Sequence, residues 1–171
     1  MDHIRNLIRD VPDFPKAGII FRDITPVLEN SRAFADIVDA FAERFGYDGV
    51  TKIAGIESRG FIFSAALAYR MGCGLVLVRK SGKLPRPTFS ASYALEYGVD
   101  TLHLHRDALS DKDQVVILDD VIATGGTAKA ATELVRRTGA TVHGFGALIE
   151  LAALQGREQL TGVDVHCLVT Y

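Results

Sequence analysis

The feature that most constrains the fold of this chain is a set of short apolar runs without polar alternation. Five such runs occur, at residues 52–56, 75–78, 115–118, 144–149 and 165–169. Continuous apolar runs of this length are typical of parallel strands that helices cover on both faces. Since helical patterns lie between the runs, the sequence predicts an α/β domain with a mainly parallel, doubly wound sheet.

Three segments have the apolar spacing or composition of helices that pack on a sheet. In the first, apolar residues recur at helical spacing from Phe34. We predict that Ser31 caps its N-terminus and that Gly46 ends it. Residues 61–69 are apolar nearly all round, and residues 127–137 carry an apolar face before the next glycine. The order of strands and helices is therefore alternating, as an α/β fold requires.

One long segment, residues 80–105, departs from this pattern. It is polar, contains two prolines and two glycines, and ends in the alternating sequence Leu-His-Leu-His. A long loop inside a compact domain is usually a functional lid or disordered. We predict a flexible lid loop over about residues 81–105, with a short hairpin at its end.

Length and charge limit the class of protein. The chain has 171 residues, a formal net charge of −2 and no repeat or linker, so residues 1–171 are expected to form one domain. The charge argues against a nucleic-acid partner. The longest uncharged apolar run, residues 60–69, is too short to span a bilayer, and the N-terminus has no signal-peptide pattern. We expect a cytoplasmic protein without a membrane partner.

The two cysteines, Cys73 and Cys167, lie far apart in apolar stretches. No CxxC pair or cluster of histidine and cysteine ligands accompanies them. The sequence therefore predicts neither a disulfide framework nor a zinc site.

The strongest local motif is a buried strand that runs into two acids, Asp119 and Asp120, and then a turn that opens a helix. A helix N-terminus has free backbone N–H groups, and glycines allow a ligand to approach them closely. Threonine hydroxyls add further donors. The turn consists of Ala123, Thr124, Gly125, Gly126 and Thr127. This arrangement predicts an anion site that suits a phosphate.

The two acids restrict what can lie beside that phosphate. Carboxylates would repel a second phosphate, but they suit hydroxyl groups, a cation or a developing positive charge. A ribose 5-phosphate combines these properties. The commoner phosphate motifs, GxxxxGK[ST] and GxGxxG after a strand, are absent, which argues against kinases, GTPases and NAD-dependent dehydrogenases.

Residues 115–127, VVILDDVIATGGT, resemble the phosphoribosyl-diphosphate signature of type I phosphoribosyltransferases. The resemblance extends over nearly the whole chain, in the same order, and is greatest to members that act on adenine. It implies the fold of that family, a mainly parallel sheet flanked by helices with a flexible lid loop and a small hood. The further matching segments are FPKAGIIFRDITP at 14–26, GIESRGF at 55–61, VRKSGKLP at 78–85, SYALEYG at 92–98 and Glu-Leu at 150–151.

The resemblance implies transfer of ribose 5-phosphate from phosphoribosyl diphosphate to adenine, giving AMP and diphosphate, in purine salvage. It places the 5′-phosphate on the turn, and Asp119 and Asp120 near the ribose hydroxyls. Fixed negative charge there would stabilise an oxocarbenium-like transition state. It also implies a homodimer, and Mg2+ held mainly by substrate oxygens and water, so no metal site made of protein ligands alone is predicted.

Three basic residues, Arg59, Lys80 and Lys83, are candidates for binding the diphosphate. Arginine would bind phosphate oxygens as a fork and lysine as a point charge. For Lys83, the resemblance also implies a reach into a neighbouring subunit's site.

The adenine site is assigned only through the resemblance. It places the base between Phe21 and Leu151, with the backbone at Ile20 and Arg22 reading its edge. From the residues alone, Phe21 is better explained as a core aromatic.

The predicted lid contains a further candidate, Glu96. The resemblance makes Glu96 the general acid or base for a purine ring nitrogen, and Tyr97 a residue that helps close the site. Closure would keep water from the activated ribose. Arg86 departs from the family pattern, which usually has glycine there.

Two alternative functions stay open. The first is the same transfer to another purine base, such as xanthine or hypoxanthine, although no clear lysine is available to bind a 6-oxo group. The second is a non-catalytic sensor of phosphoribosyl diphosphate, which the lack of an added domain or basic excess argues against.

Overall fold

The computed structural model describes residues 1–46, 49–94 and 98–171. The predicted lid residues Glu96 and Tyr97 lie outside these ranges. The helices are α1 (Asp2–Arg5), α2 (Thr25–Glu29), α3 (Ser31–Phe45), α4 (Gly60–Met71) and α5 (Gly126–Arg137). The strands are β1 (Arg9–Pro12), β2 (Ile20–Asp23), β3 (Lys52–Ile56), β4 (Gly74–Lys80), β5 (Thr88–Ala94), β6 (Val99–His105), β7 (Gln114–Ile122), β8 (Thr141–Glu150) and β9 (Val165–Thr170).

Seven strands form the main sheet in the order β5-β6-β4-β3-β7-β8-β9. Strands β4, β3, β7, β8 and β9 are parallel to their neighbours in that series, and the β5–β6 hairpin is antiparallel. Each of the five apolar runs lies in one of the five parallel strands, so the predicted mainly parallel sheet is confirmed.

Strand β7 shows why these runs are apolar throughout. Its residues Val116 and Leu118 pack into a core beneath α3 and α4, whereas Val115 and Ile117 pack into a second core beneath α5. All four are fully buried. Successive side chains of a strand point to opposite faces, so a strand between two helical layers needs apolar residues at every position.

Helix α3 begins one residue away from the predicted position. Asn30, rather than Ser31, is the cap: its backbone is extended and its side-chain oxygen accepts a hydrogen bond of 3.0 Å from the N–H of Ala33. Ser31 is already the first helical residue, so the prediction of Ser31 as cap was wrong. Gly46 ends the helix with φ 71°, as predicted.

The segment predicted as a lid loop is more regular than expected. Strands β5 and β6 pair from Thr88 with His105 to Ala94 with Val99, so the hairpin covers most of residues 88–105. The alternation at residues 102–105 buries both leucines, Leu102 and Leu104, in the core beneath α5. A hairpin with one buried face is therefore longer than the short one that the sequence suggested.

The N-terminal part forms a separate two-stranded sheet, in which β1 and β2 pair in antiparallel fashion. Arg22 of β2 forms an ion pair with Asp10 of β1 and its guanidinium lies 3.9 Å from the centre of the Tyr171 ring. This small sheet holds residues 20–22 near the C-terminal end of the chain. No helix within the described ranges is long and apolar enough to cross a membrane.

We expect Asn30→Ala to lower the free energy of unfolding by about 1 kcal/mol, because an N–H at the start of α3 loses its partner. Ser31→Ala is the matched control and should change stability by less than about 0.5 kcal/mol. Urea unfolding of both variants measures the difference. A larger loss for Ser31→Ala would show that the cap is Ser31 after all.

Candidate active site

A cleft of about 390 Å3 opens where β3 and β7 end. Its wall consists of residues 57–59 after β3, residues 119–128 from the end of β7 into α5, and the side chains of Lys80 and Tyr93. Ligand sites of open α/β sheets lie at this carboxyl edge of the strands. The fold thus places the acid pair, the glycine turn and two of the predicted cations, Arg59 and Lys80, around one cleft.

The turn at 123–127 has the geometry of an anion site. Gly125 has φ 84°, a left-handed conformation that favours glycine, and its carbonyl accepts the hydrogen bond of 2.9 Å from the N–H of Lys129 that starts α5. The N–H groups of the first helical turn have no partner inside the helix. Gly126, Thr127 and Ala128 of that turn line the cleft. The turn can therefore bind a phosphate through backbone donors.

The hairpin lies directly over this turn. A Cβ atom at Gly126 would lie 3.3 Å from the carbonyl oxygen of Ala94 and 3.4 Å from Cδ2 of Tyr93. A side chain at Gly126 would therefore fit closely beneath the hairpin.

The acid pair is buried at the floor of the cleft. Asp119 and Asp120 are 9% and 4% exposed, and Oδ1 of Asp119 accepts a hydrogen bond of 2.9 Å from the N–H of Asp120. Burial raises the pKa of Asp119 well above its ordinary value, and the neighbouring charge of Asp120 raises it further. Burial also raises the pKa of Asp120, but the Arg59 charge opposes this. Asp119 is the more readily protonated of the two.

Gly60 explains how the acids become buried. A Cβ atom at this first residue of α4 would lie 2.8 Å from the carbonyl oxygen of Leu118 and 3.1 Å from Oδ1 of Asp119. Glycine therefore allows α4 to pack directly against the end of β7, which removes water from the side of Asp119.

Arg59 lies between the acid pair and the N-terminal sheet. Its Nε is 2.9 Å from Oδ2 of Asp120, and its guanidinium lies 5.0 Å from the centre of the Phe21 ring. The predicted diphosphate ligand thus faces the cleft, but in this arrangement it neutralises an acid. It also connects the cleft to the residues assigned to the base.

Lys80 is likewise paired with an acid, one that the sequence did not single out. Nζ of Lys80 lies 3.1 Å from Oδ2 of Asp100, and the Tyr93 hydroxyl donates to the same oxygen at 3.3 Å. Hydrogen bonding to the N–H of Thr101 and to Lys80 lowers the pKa of Asp100, and Asp100 in turn raises the pKa of Lys80. Tyr93 and Asp100 are cross-strand partners in the hairpin, so only its register could have revealed this cluster.

Glu57 is a second acid of the cleft that the sequence did not assign. Burial alone would raise its pKa, but hydrogen bonds from Arg79 at 3.2 Å and from the Lys80 N–H at 2.9 Å lower it overall. Glu57 is therefore ionised at neutral pH. Its bond with the Lys80 N–H holds the backbone at the last residue of β4.

Lys83 does not join this cleft. It lines a separate cavity of about 470 Å3. The wall of this cavity also contains Arg79, Arg86 and the exposed β4 side chains Leu75 and Leu77. The Lys83 carbonyl accepts a hydrogen bond of 3.2 Å from Arg79, and Arg86 pairs with Asp107. Within this chain, the three predicted diphosphate ligands are therefore split between two cavities.

The four residues assigned to the base lie beyond Arg59, outside the wall of the cleft. Phe21 packs edge-on against Phe14, with ring centres 5.1 Å apart, and Ile20 is 52% exposed. The N–H of Leu151 donates to the carbonyl of Ile122 at 3.0 Å, which holds Leu151 beside the end of β7. This group therefore contacts the cleft wall through the bond from Leu151 to Ile122 and through the packing of Phe21 near Arg59.

The raised pKa of Asp119 has a consequence for stability. The folded protein retains this proton at pH values where an unfolded chain, with a pKa near 3.8, has lost it. The free energy of unfolding therefore falls as the pH rises from that value through the folded pKa. Asp119→Asn keeps an oxygen for the Asp120 N–H and should raise the melting temperature at neutral pH, by about 2–4 °C for each kcal/mol regained.

Thermal unfolding across a pH series measures this effect. The gain from Asp119→Asn should shrink as the pH approaches 3.8, where the wild-type carboxyl is also neutral. Asp107→Asn, at an exposed residue, is the control. A gain that does not depend on pH would contradict the assignment.

The pairing of Lys80 with Asp100 gives a second prediction. Asp100→Asn should bind inorganic diphosphate roughly two- to fivefold more tightly, since Lys80 loses its charged partner and a partly exposed ion pair contributes at most about 1 kcal/mol. Calorimetric titration measures the change, with Asp107→Asn as the control. Weaker binding would instead mean that Asp100 orients Lys80 for the anion.

Comparison with known proteins agrees with this geometry. Residues 24–170 match the phosphoribosyl transferase domain family. The chain is 54% identical to the adenine phosphoribosyltransferase of Anaeromyxobacter dehalogenans, over the full chain and 99% of that protein. The crystal structure of adenine phosphoribosyltransferase from Thermoanaerobacter pseudethanolicus superposes with a TM-score of 0.96 at 46% identity and 99% coverage of both chains.

A third comparison includes ligands. The Saccharomyces cerevisiae adenine phosphoribosyltransferase, complexed with an imino-altritol bisphosphate and adenine, superposes with a TM-score of 0.93 at 39% identity, over 98% of this chain and 97% of that one. The family match covers most of the sequence, and each relative is aligned over nearly its whole length. The chain therefore belongs to the adenine phosphoribosyltransferases, within the type I phosphoribosyltransferase family.

Proposed function

We propose that this chain transfers ribose 5-phosphate from phosphoribosyl diphosphate to adenine and forms AMP and diphosphate in purine salvage. The observation that carries the proposal is the single cleft that combines a phosphate-binding turn with a buried acid pair. These two features match the two ends of a ribose 5-phosphate. Membership of the adenine phosphoribosyltransferase family supports the choice of substrate.

The turn at 123–127 binds the 5′-phosphate in this proposal. Its donors are the backbone N–H groups at the start of α5 and the hydroxyls of Thr124 and Thr127. Fixed N–H groups at a helix N-terminus favour a phosphate without the need for a lysine.

Asp119 and Asp120 lie beside the ribose. The C1 carbon becomes positive as its bond to diphosphate breaks, and a fixed carboxylate in a water-poor cleft stabilises that charge. Asp120 is the better candidate for this role, because Arg59 favours its ionised form. Arg59 keeps its Nε contact with Asp120 while its other planar donors bind oxygens of the diphosphate.

The leaving diphosphate is bound by Arg59 and Lys80. Mg2+ is proposed to bind here mainly through substrate oxygens and water. The oxygen donors of the cleft suit such a hard, hydrated cation. When bound, Mg2+ neutralises charge on the departing diphosphate.

The base site is proposed at the four residues beyond Arg59. Phe21 and Leu151 enclose the ring, and the backbone at Ile20 and Arg22 reads its edge. The contact between Arg59 and Phe21 supports this position, because Arg59 also pairs with Asp120 of the acid pair.

The hairpin region, about residues 81–105, is proposed as the lid. Glu96 acts as general acid or base on a ring nitrogen of adenine, and Tyr97 helps close the site. The packing of Tyr93 and Ala94 on Gly126 supports this role, since the chain leaves β5 directly above the phosphate turn.

A homodimer is part of the proposal. The cavity that contains Lys83 also has Leu75 and Leu77 of β4 in its wall, and these leucines are 42% and 38% exposed. A second copy of the chain could cover these leucines. Lys83 of the first copy would then lie towards the cleft of the second copy. We further propose that the protein is cytoplasmic and works as one domain, without nucleic-acid or membrane partners.

A steady-state assay tests the proposed reaction. With phosphoribosyl diphosphate and Mg2+, we expect AMP from adenine and no comparable product from hypoxanthine, guanine or xanthine. Glu96→Gln should lower kcat by about 10²–10⁴-fold. Asp120→Asn should lower it by about 10²-fold, since fixed charge is lost at the transition state.

Asp107→Asn is the matched control and should leave the rate unchanged. Product from another base would move the function to a different purine phosphoribosyltransferase. Binding of phosphoribosyl diphosphate without any product would indicate a sensor.

A further inference from the structure

The phosphate turn packs against a glycine from another segment, Gly156, which does not line the cleft. A Cβ atom added to Gly125 would lie 2.9 Å from the carbonyl carbon of Gly156 and closer still to its oxygen. A Cβ atom added to Gly156 would lie 2.8 Å from the N atom of Gly125 and would overlap the carbonyl of Ala123. Real Cβ atoms essentially never approach other atoms this closely. The two backbones therefore contact each other with no room for a side chain on either.

The two glycines are required for different reasons. Gly125 has a left-handed φ of 84°, so it would be strained by any side chain. Gly156 does not have a positive φ, and alanine could adopt its backbone conformation. Position 156 therefore needs glycine because a side chain there would collide with the backbone of the phosphate turn.

The segment that carries Gly156 is held in place by contacts outside the cleft. Arg157 forms two hydrogen bonds with the Glu150 carboxylate, at 2.9 and 2.6 Å, and donates a third to the Val165 carbonyl at 2.6 Å. Leu160 is 4% exposed and packs in the core beneath α5. These contacts fix the segment on β8 and β9, so the segment provides a firm surface for the turn.

The same segment begins at the proposed base site. Leu151 donates to the Ile122 carbonyl at 3.0 Å, and Ala152 donates to the Tyr171 carbonyl at 2.9 Å. Residues 151–156 therefore run from one end of the site to the back of the phosphate turn. Neither Gly156 nor Arg157 lines the cleft.

We propose that Gly156 is a positioning residue that sets the place of the phosphate turn, and hence the affinity for a 5′-phosphate. It acts through Gly125 and does not touch the substrate. The inference rests on the proposed function only in taking a sugar 5-phosphate as the ligand of the turn. An alanine here would push the turn towards the ligand, and the backbone donors would lose their alignment.

Calorimetric titration with ribose 5-phosphate and with inorganic diphosphate tests the proposal. Gly156→Ala should weaken ribose 5-phosphate binding by about 10- to 100-fold, the cost of misplacing a binding group by about 1 Å, and leave diphosphate binding within about twofold. In the transfer assay, KM for phosphoribosyl diphosphate should rise while KM for adenine stays unchanged. Gly74→Ala is the matched control, because the atoms nearest to its Cβ would belong to the flexible Lys52 side chain.

A second variant covers the case in which Gly156→Ala does not fold. Arg157→Gln keeps both glycines but removes the ion pair with Glu150 that holds their segment. It should weaken ribose 5-phosphate binding about threefold, again without affecting diphosphate.

The outcomes separate this inference from the proposed function. If the wild-type protein forms no AMP from adenine, the proposed function fails. If it forms AMP but binds no ribose 5-phosphate, the ligand taken for the turn is wrong and this inference falls. If the wild type binds it and a folded Gly156→Ala binds it equally well, the positioning role is wrong. An equal loss for both ligands would also overturn the proposal, and so would an unchanged Arg157→Gln where Gly156→Ala is unfolded.

Discussion

The burial of two adjacent carboxylates at the end of the central strand is the constraint on which the rest of the structure depends. Adjacent acids in a water-poor setting repel each other and favour protonation. The fold meets this cost with a backbone N–H bond to Asp119 and with the Arg59 guanidinium beside Asp120. Because α4 must approach closely to exclude water, Gly60 follows directly after Arg59. One short segment thus supplies both the counter-charge and the close packing.

Much of the fold could be predicted because its signals are local. The apolar runs encode burial on both faces, and strand β7 shows that alternate residues enter different cores. The start of α3 could not be resolved in this way, since Asn30 and Ser31 are adjacent and both are good capping residues. The extended backbone at Asn30 and its side-chain bond with the Ala33 N–H decide between them. The sequence underestimates the length of the hairpin, because the polar residues on its exposed face are typical of a loop. Its leucines are nevertheless buried.

In the candidate site, too, features encoded in one segment could be predicted, and contacts between distant segments could not. The acid pair and the turn are contiguous in the sequence, so their chemistry could be inferred together. The contacts of Lys80 with Asp100, and of Asp100 with Tyr93, depend on the pairing of three strands, β4, β6 and β5, which no single segment encodes. The contact between Gly125 and Gly156 joins positions that are distant in the sequence, and neither glycine alone indicates the other. Interactions of this kind required the three-dimensional structure.

The ion pairs of the cleft have a consequence for how a ligand approaches it. The basic side chains at and beside the cleft, Arg59, Arg79 and Lys80, each have a carboxylate partner in the free protein. Paired charges cancel at a distance, so the cleft exerts little long-range attraction on a passing anion. A ligand gains electrostatic energy mainly on contact, from the N–H groups of the turn and from the cations of the cleft. Association should therefore be nearly insensitive to ionic strength, and discrimination among cellular phosphates should arise from fit inside the cleft.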